Sequence, residues 1–136
     1  MQTFLPYTNF QESAKVLDRA RLGKQRVECK QIYEALTRGS RWSNHPAVLM
    51  WAGYESCLIN YWWHMCREWI SRGYKDTIMP ELITIAEIPW WLGNEHFHAS
   101  HRAALLAKMP DHYEQFGWVE KPVINYWWPT KKGQKR

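Results

Sequence analysis

Between Pro46 and Gly73 the large side chains Trp51, Tyr54, Leu58, Tyr61, Met65 and Trp69 recur every three or four residues. That spacing gathers them along one face of an α-helix and would scatter them over both faces of a strand. A helix with one apolar stripe must be covered by other elements. One partner begins at a cap supplied by Asn9 or Ser13, runs to about Arg38 and stops at Gly39, with Leu22, Cys29, Ile32, Tyr33 and Leu36 on one face. A third helix is expected from about His98 to Lys108, and Pro110 opens a final turn that ends near Gly117. Residues 76–93 are broken by prolines and read as irregular. The stretch WVEKPVINYWWP, with Pro122 and Pro129, reads as an extended arm draped over helices rather than as sheet. The expected fold is all-α, a compact three-helix single domain over residues 1–130 with extended N- and C-terminal arms, followed by a basic tail at 131–136.

A chain of 136 residues is long enough to bury one core. With 46% hydrophobic and 23% charged residues it is not a disordered chain, and no apolar run approaches the ~20 residues that cross a bilayer. The start MQTFLPYTNF lacks the features of a secretory signal, so a soluble, cytoplasmic monomer without membrane attachment is expected. Cys29, Cys57 and Cys66 are odd in number, lack CxxC spacing and fall within helical stretches, as buried thiols would.

The net charge of +5 is unevenly distributed. Residues 11–42 hold Lys15, Arg19, Arg21, Lys24, Arg26, Lys30, Arg38 and Arg41 against four acids, and the tail KKGQKR adds four cations. Clustered cations suit a polyanion, although a solvated surface looks the same in sequence. The ten tryptophans exceed what a core of this size needs, so some are expected to face a ligand, and an indole stacks on unpaired bases. Along the first helix Lys15, Arg19, Arg26 and Lys30 share one side, and Arg21, Lys24 and Glu28 form a separate narrow stripe.

The nucleophiles open to such a chain are an N-terminal amine, a lysine with a depressed pKa, or an activated water. An α-amino group is partly neutral at pH 7, whereas an ordinary lysine is almost wholly protonated. Arg21 is one turn from Lys24, but so is Glu28, which works against a neutral lysine. Lys24 is therefore read first as a phosphate contact. Glu28 itself is either half of a helical ion pair with Lys24 or a catalytic carboxylate.

Three segments in order narrow the choice. LDRARLGKQRVE at 17–28, HPAVLMWAGYESCLINYWWHMCREWISRGYKDT at 45–77 and HASHRAALLAKMPDHYEQFGW at 98–118 together resemble the endonuclease V type of pyrimidine-dimer DNA glycosylase. In that family a basic or His residue, a Leu and, seven positions after the first, a Glu form the active-site stripe, and Arg21, Leu22 and Glu28 fall on those places. The resemblance implies a compact helical fold in which the N-terminal amine attacks the sugar C1′, releases the base and forms an imine. The glutamate matching Glu28 then supports the proton transfers of base release and β-elimination.

The sequence departs from the dimer-cleaving members at two places. A basic residue follows their N-terminal residue and an arginine precedes their glutamate, where this chain has Gln2 or Thr3, and Val27. Arg26 is about 100° away on the helix and is no simple replacement. These departures leave room for a different damaged or modified pyrimidine as substrate. Gln2 is too large for routine removal of Met1, so the candidate amine is that of Met1.

HFHASH, residues 96–101, sets His98 and His101 one turn apart, but a third ligand and an HExxH-like carboxylate are missing, so no metal or other cofactor is assigned. The catalytic candidates are Met1 and Glu28. The candidates for binding double-stranded DNA are Arg21, Lys24, Arg26, Asn44, His45, His101 and Arg102, with Asn44 and His45 read either as helix caps or as part of the catalytic pocket. The expected function is a repair glycosylase with AP lyase chemistry. The alternatives are a binding module that has lost the chemistry and a monofunctional glycosylase that activates water through Glu28.

Overall fold

The structure, a computed structural model, describes residues 1–129, and the basic tail at 131–136 lies outside the described residues. The described chain is helical: α1 Phe10–Val16, α2 Arg19–Arg38, α3 Pro46–Leu49, α4 Glu55–Ser71, α5 Glu95–Lys108 and α6 Pro110–Tyr113, then a 3-10 turn at Glu114–Phe116. No strand is present among the described residues.

The long helices α2, α4 and α5 correspond to the three expected, but the first two are shorter than expected and each is preceded by a separate short helix. The expected first helix breaks at Leu17 and Asp18. Asp18 takes an extended backbone and its carboxylate accepts the Arg21 N–H at 3.2 Å, which starts α2 afresh. The Tyr113 hydroxyl fixes that break by accepting the Asp18 N–H at 3.0 Å and donating to its carboxylate at 2.5 Å. Lys15 consequently belongs to α1 and does not share a helix face with Arg19, Arg26 and Lys30. The expected second helix divides at Gly53, whose φ of 86° is left-handed, and this turn drops Trp51 into the core. The third begins at Glu95, capped by the Asn94 side chain on the Phe97 N–H.

Leu22, Cys29, Ile32, Leu58, Tyr61, Met65 and Leu105 are fully buried between the helices. The α2 to α4 contact is close because Gly23 offers no side chain where the Trp69 ring lies. All three cysteines are free and buried, as expected. Burial pushes the Cys57 thiol up to about 11 and the Cys66 thiol up to about 12.

The N-terminal arm is not draped over the surface. Residues 2–6 are buried, and their backbone groups are bonded by side chains from α2, α4 and α5, with Trp51 adding a bond to a side chain. Gln25 of α2 donates to the Gln2 carbonyl at 2.6 Å and accepts the Phe4 N–H at 2.8 Å. Tyr61 of α4 donates to the Phe4 carbonyl at 2.6 Å, and the Trp51 indole donates to the Thr3 hydroxyl at 3.1 Å. On α5, His101 Nδ1 accepts the Leu5 N–H at 2.9 Å while His98 Nδ1 donates to the Leu5 carbonyl at 2.7 Å. An extended segment inside a helical core has no sheet to satisfy it, and these side chains take that part. The C-terminal arm after Gly117 has neither helix nor strand through residue 129 and is tied to α5 by the Val123 N–H on the Ala103 carbonyl and the Trp127 N–H on the Ser100 hydroxyl.

Candidate active site

The clamped N-terminal arm ends at the Met1 amine, which lies 3.8 Å from Glu28 Oε2. That separation is too long for a hydrogen bond and short enough for a charge pair. Both side chains are largely shielded, at 4% and 11% exposure, so little water screens the pair. Glu28 makes no ion pair with Lys24 among the described residues. Its carboxylate turns to the amine instead, because position 28 lies beside the buried face made by Leu22, Gln25, Cys29 and Ile32.

Around this pair is a cavity of about 400 Å³, in the size range of small-ligand sites. Its wall is formed by Met1, Gln2, Phe4, Ala20, Arg21, Lys24, Glu28, Lys108 and Tyr126. The stripe Arg21, Lys24, Glu28 read from helical spacing is thus brought together with Met1. Lys108, from the last turn of α5, and Tyr126, from the C-terminal arm, were not anticipated. Neither carries a sequence signal, since only the fold brings α5 and the arm to α2.

His45 caps α3 by accepting the Ala47 N–H on Nδ1 at 3.0 Å. Burial and then the nearby Met1 ammonium hold its pKa below the usual imidazole value. Of the two readings of His45, the cap is seen directly, while the ring feels the Met1 charge without forming part of the cavity wall. With Nδ1 engaged by a donor, the neutral ring carries its proton on Nε2. His45 also meets Trp42 and Trp128 edge-on, with centroids 6.3 and 6.1 Å away, and Trp128 meets Tyr126 at 5.7 Å. A chain of aromatic rings therefore leads from exposed Trp42 to the cavity wall. Asn44 is exposed beside it. Of the ten tryptophans, Trp51 and Trp91 are fully buried, whereas Trp42 and Trp90 are exposed.

Besides Arg21, which pairs with its helix-capping Asp18 at 3.1 Å, three of the residues expected to touch DNA are occupied within the protein. Arg26 pairs with Asp76 at 3.0 Å and stacks on Trp69, with its guanidinium carbon 4.8 Å from the ring. Arg102 is held by Glu95, by Glu120 at 3.0 Å and by the Pro6 carbonyl at 2.7 Å. His101 is fully buried, and burial pushes its pKa down to about 3. All three fasten one segment to another, and apart from Glu95 on the same helix as Arg102 their partners lie too far along the sequence for spacing to show them. Gln25, missed altogether, left one trace: it is a polar residue on the apolar face of α2. His98 and His101 both bind the Leu5 backbone, and no group of three or more His, Cys, Asp or Glu that could hold a metal ion occurs among the described residues.

A family match places this chain among DNA glycosylases, and the amine beside a shielded carboxylate, with Arg21 and Lys24 in the same wall, lies in the matched part. Residues 1–82, more than half of the chain, match the family model described as pyrimidine dimer DNA glycosylase, and the chain belongs to that family. The matched span contains Met1, Arg21, Lys24, Glu28 and His45, and ends before α5 and the C-terminal arm. No curated protein and no solved structure matches the chain.

Proposed function

We propose that the chain removes a damaged or modified pyrimidine from duplex DNA and then cleaves the strand at the abasic sugar, with the Met1 amine as nucleophile and Glu28 as the proton carrier. The observation that carries this reading is the 3.8 Å approach of the Met1 amine to Glu28 inside the cavity. In the neutral amine, nitrogen bonds to C1′ while the C1′–N1 electron pair leaves with the pyrimidine, which takes up a proton. Glu28 accepts a proton from the amine nitrogen and returns it to O4′ as the sugar ring opens to the iminium. Glu28, ionised again once O4′ has taken its proton, accepts a C2′ proton, and the enamine so formed expels the 3′ phosphate. Arg21, Lys24 and Lys108 supply positive charge for the flanking phosphates, and the rings from Trp42 to Tyr126 offer stacking surface to a displaced base.

Borohydride trapping on abasic duplex tests the nucleophile. The intact protein, with retained Met1 confirmed by mass, is expected to form a covalent adduct, and the N-terminally acetylated protein to form none. An acetylated protein that still traps would move the nucleophile to a lysine, Lys24 first. A protein that releases base without ever trapping would favour water activated by Glu28, and one that binds without either activity would be a binding module.

A further inference from the structure

Gln2 is 6% exposed, forms part of the wall of the cavity that holds Met1 and Glu28, and has no hydrogen-bond partner for its Nε2. Two other polar atoms of Gln2 are fixed: Oε1 accepts the Thr3 N–H at 2.9 Å, and the main-chain carbonyl accepts from Gln25 at 2.6 Å. The first bond settles the orientation of the amide, because exchanging its ends would set an NH2 against the Thr3 N–H, donor against donor. Gln2 therefore presents a buried, neutral NH2 group that meets no protein acceptor. Buried donors almost always have partners, so one left without a partner on a residue that lines the cavity beside the Met1 amine marks a place for an acceptor on a ligand.

The geometry points to Gln2 as a base-contacting residue whose NH2 donates to the 2-carbonyl of the pyrimidine being released. This rests on the glycosylase reading above and adds the group of the substrate that is read. A phosphate oxygen is the less suitable acceptor, since the same wall already carries Arg21, Lys24 and Lys108 for anions. Of the acceptors on a pyrimidine, the 2-carbonyl is the one adjacent to N1, the atom bonded to C1′. It is thus the one closest to the point of attack by the neighbouring Met1 amine. As the C1′–N1 bond breaks, its electron pair passes to N1 and is shared with that carbonyl oxygen, so a donor there binds more strongly as the base departs. Once the base has left, the donor has no further part, and strand cleavage at an abasic sugar does not use it.

The experiment compares wild type with Gln2→Met and Gln2→Glu, both large enough to keep Met1, on two probes. One is a duplex with a single cyclobutane thymine dimer, followed for base release; the other is a duplex with a preformed abasic site, followed for borohydride trapping. Base release is expected to fall on the order of 100-fold more than trapping in Gln2→Met. Gln2→Glu, which replaces the NH2 by an acceptor, should show the same split. Equal falls on both probes would mean that residue 2 only positions the amine, and unchanged base release would mean that it contacts no base; either overturns the inference alone. A wild type that traps on abasic DNA but releases nothing from the dimer duplex would show that the thymine dimer is not the substrate and overturn the inference for that base, while leaving the amine chemistry of the reading intact.

Discussion

At residue 28 the sequence allowed a helical ion pair or a catalytic acid, and the two differ in what the carboxylate faces. It faces the Met1 amine, with 11% of its side chain exposed. Replacing Glu28 by Gln keeps shape and hydrogen bonding but removes charge and basicity, so DNA affinity should change little while base release falls by about 1,000-fold or more. Single-turnover rates beside equilibrium binding on the same duplex check this, and an unchanged rate would remove Glu28 from the chemistry. Arg21, Lys24 and Glu28 were legible because helical periodicity alone puts them on one line, and nothing in the fold disturbs α2 along that stretch. The internal roles of Arg26, His101 and Arg102 were not legible because a buried clamp and a DNA contact use the same residue types. Their partners Asp76, Leu5 and Glu120 lie 50, 96 and 18 residues away.

Among the elements, the packing of α2 against α4 depends on the absence of a side chain at Gly23. In an exposed helix Gly→Ala stabilises by about 1 kcal/mol. Here a Cβ at position 23 would sit 2.9 Å from the Trp69 ring. That ring cannot swing aside freely, being fixed by its indole N–H on the Lys75 carbonyl at 3.0 Å and by Tyr74 with ring centroids 4.4 Å apart. Gly23→Ala should therefore destabilise by roughly 1–3 kcal/mol, with the Arg26 to Trp69 stack disturbed, and thermal unfolding will show it. A raised melting temperature would mean that the two helices are less tightly fitted. The apolar period revealed the long helices. Their breaks at Asp18 and Gly53 were not legible, because each is set by a tertiary bond: Tyr113 on Asp18 for the first, and Thr3 under the Trp51 indole for the second.

For the molecule as a whole, charge and the buried histidines set its response to solution conditions. Lys15, Arg19, Lys24, Lys30, Arg38 and Arg41 are exposed, whereas Arg21 and Arg26 are engaged by Asp18 and Asp76. If the cavity cations Arg21, Lys24 and Lys108 all meet phosphates, the log–log dependence of DNA affinity on salt should have a slope of roughly −3 or steeper. Binding titrations across a salt series will measure it, and a slope near zero would separate the basic face of α2 from DNA.

Acid should unfold the protein from well above the carboxylate range, because three histidines are held neutral in the fold. Burial lowers the pKa of His45, His98 and His101, with the Met1 ammonium adding to the effect at His45, Arg102 at His98 and His98 at His101. At His98 the hydrogen bond to the Leu5 carbonyl opposes the shift without cancelling it. The folded-state values lie below the ordinary 6.5, so between that pH and the folded value the unfolded chain binds protons that the folded chain does not. Stability is therefore full above about pH 6.5 and falls as pH is lowered. For His101, whose folded value is about 3, the loss between pH 6.5 and 5 is about 2 kcal/mol. Asp18 acts in the same direction but later: burial alone would raise its pKa, yet the bonds from Tyr113 and Arg21 and the Arg21 charge outweigh it, so its contribution is lost only below the usual carboxylate range. Urea midpoints should thus fall steadily from pH 7 to pH 5. His101→Gln should be less stable at pH 7, with a shallower fall. The same protonation takes away the acceptor that holds the Leu5 N–H, so trapping on abasic DNA should decline along with stability as the Met1 amine loses its anchor. A wild-type midpoint that stays flat from pH 7 to pH 5 would show that these rings take up protons without leaving the core.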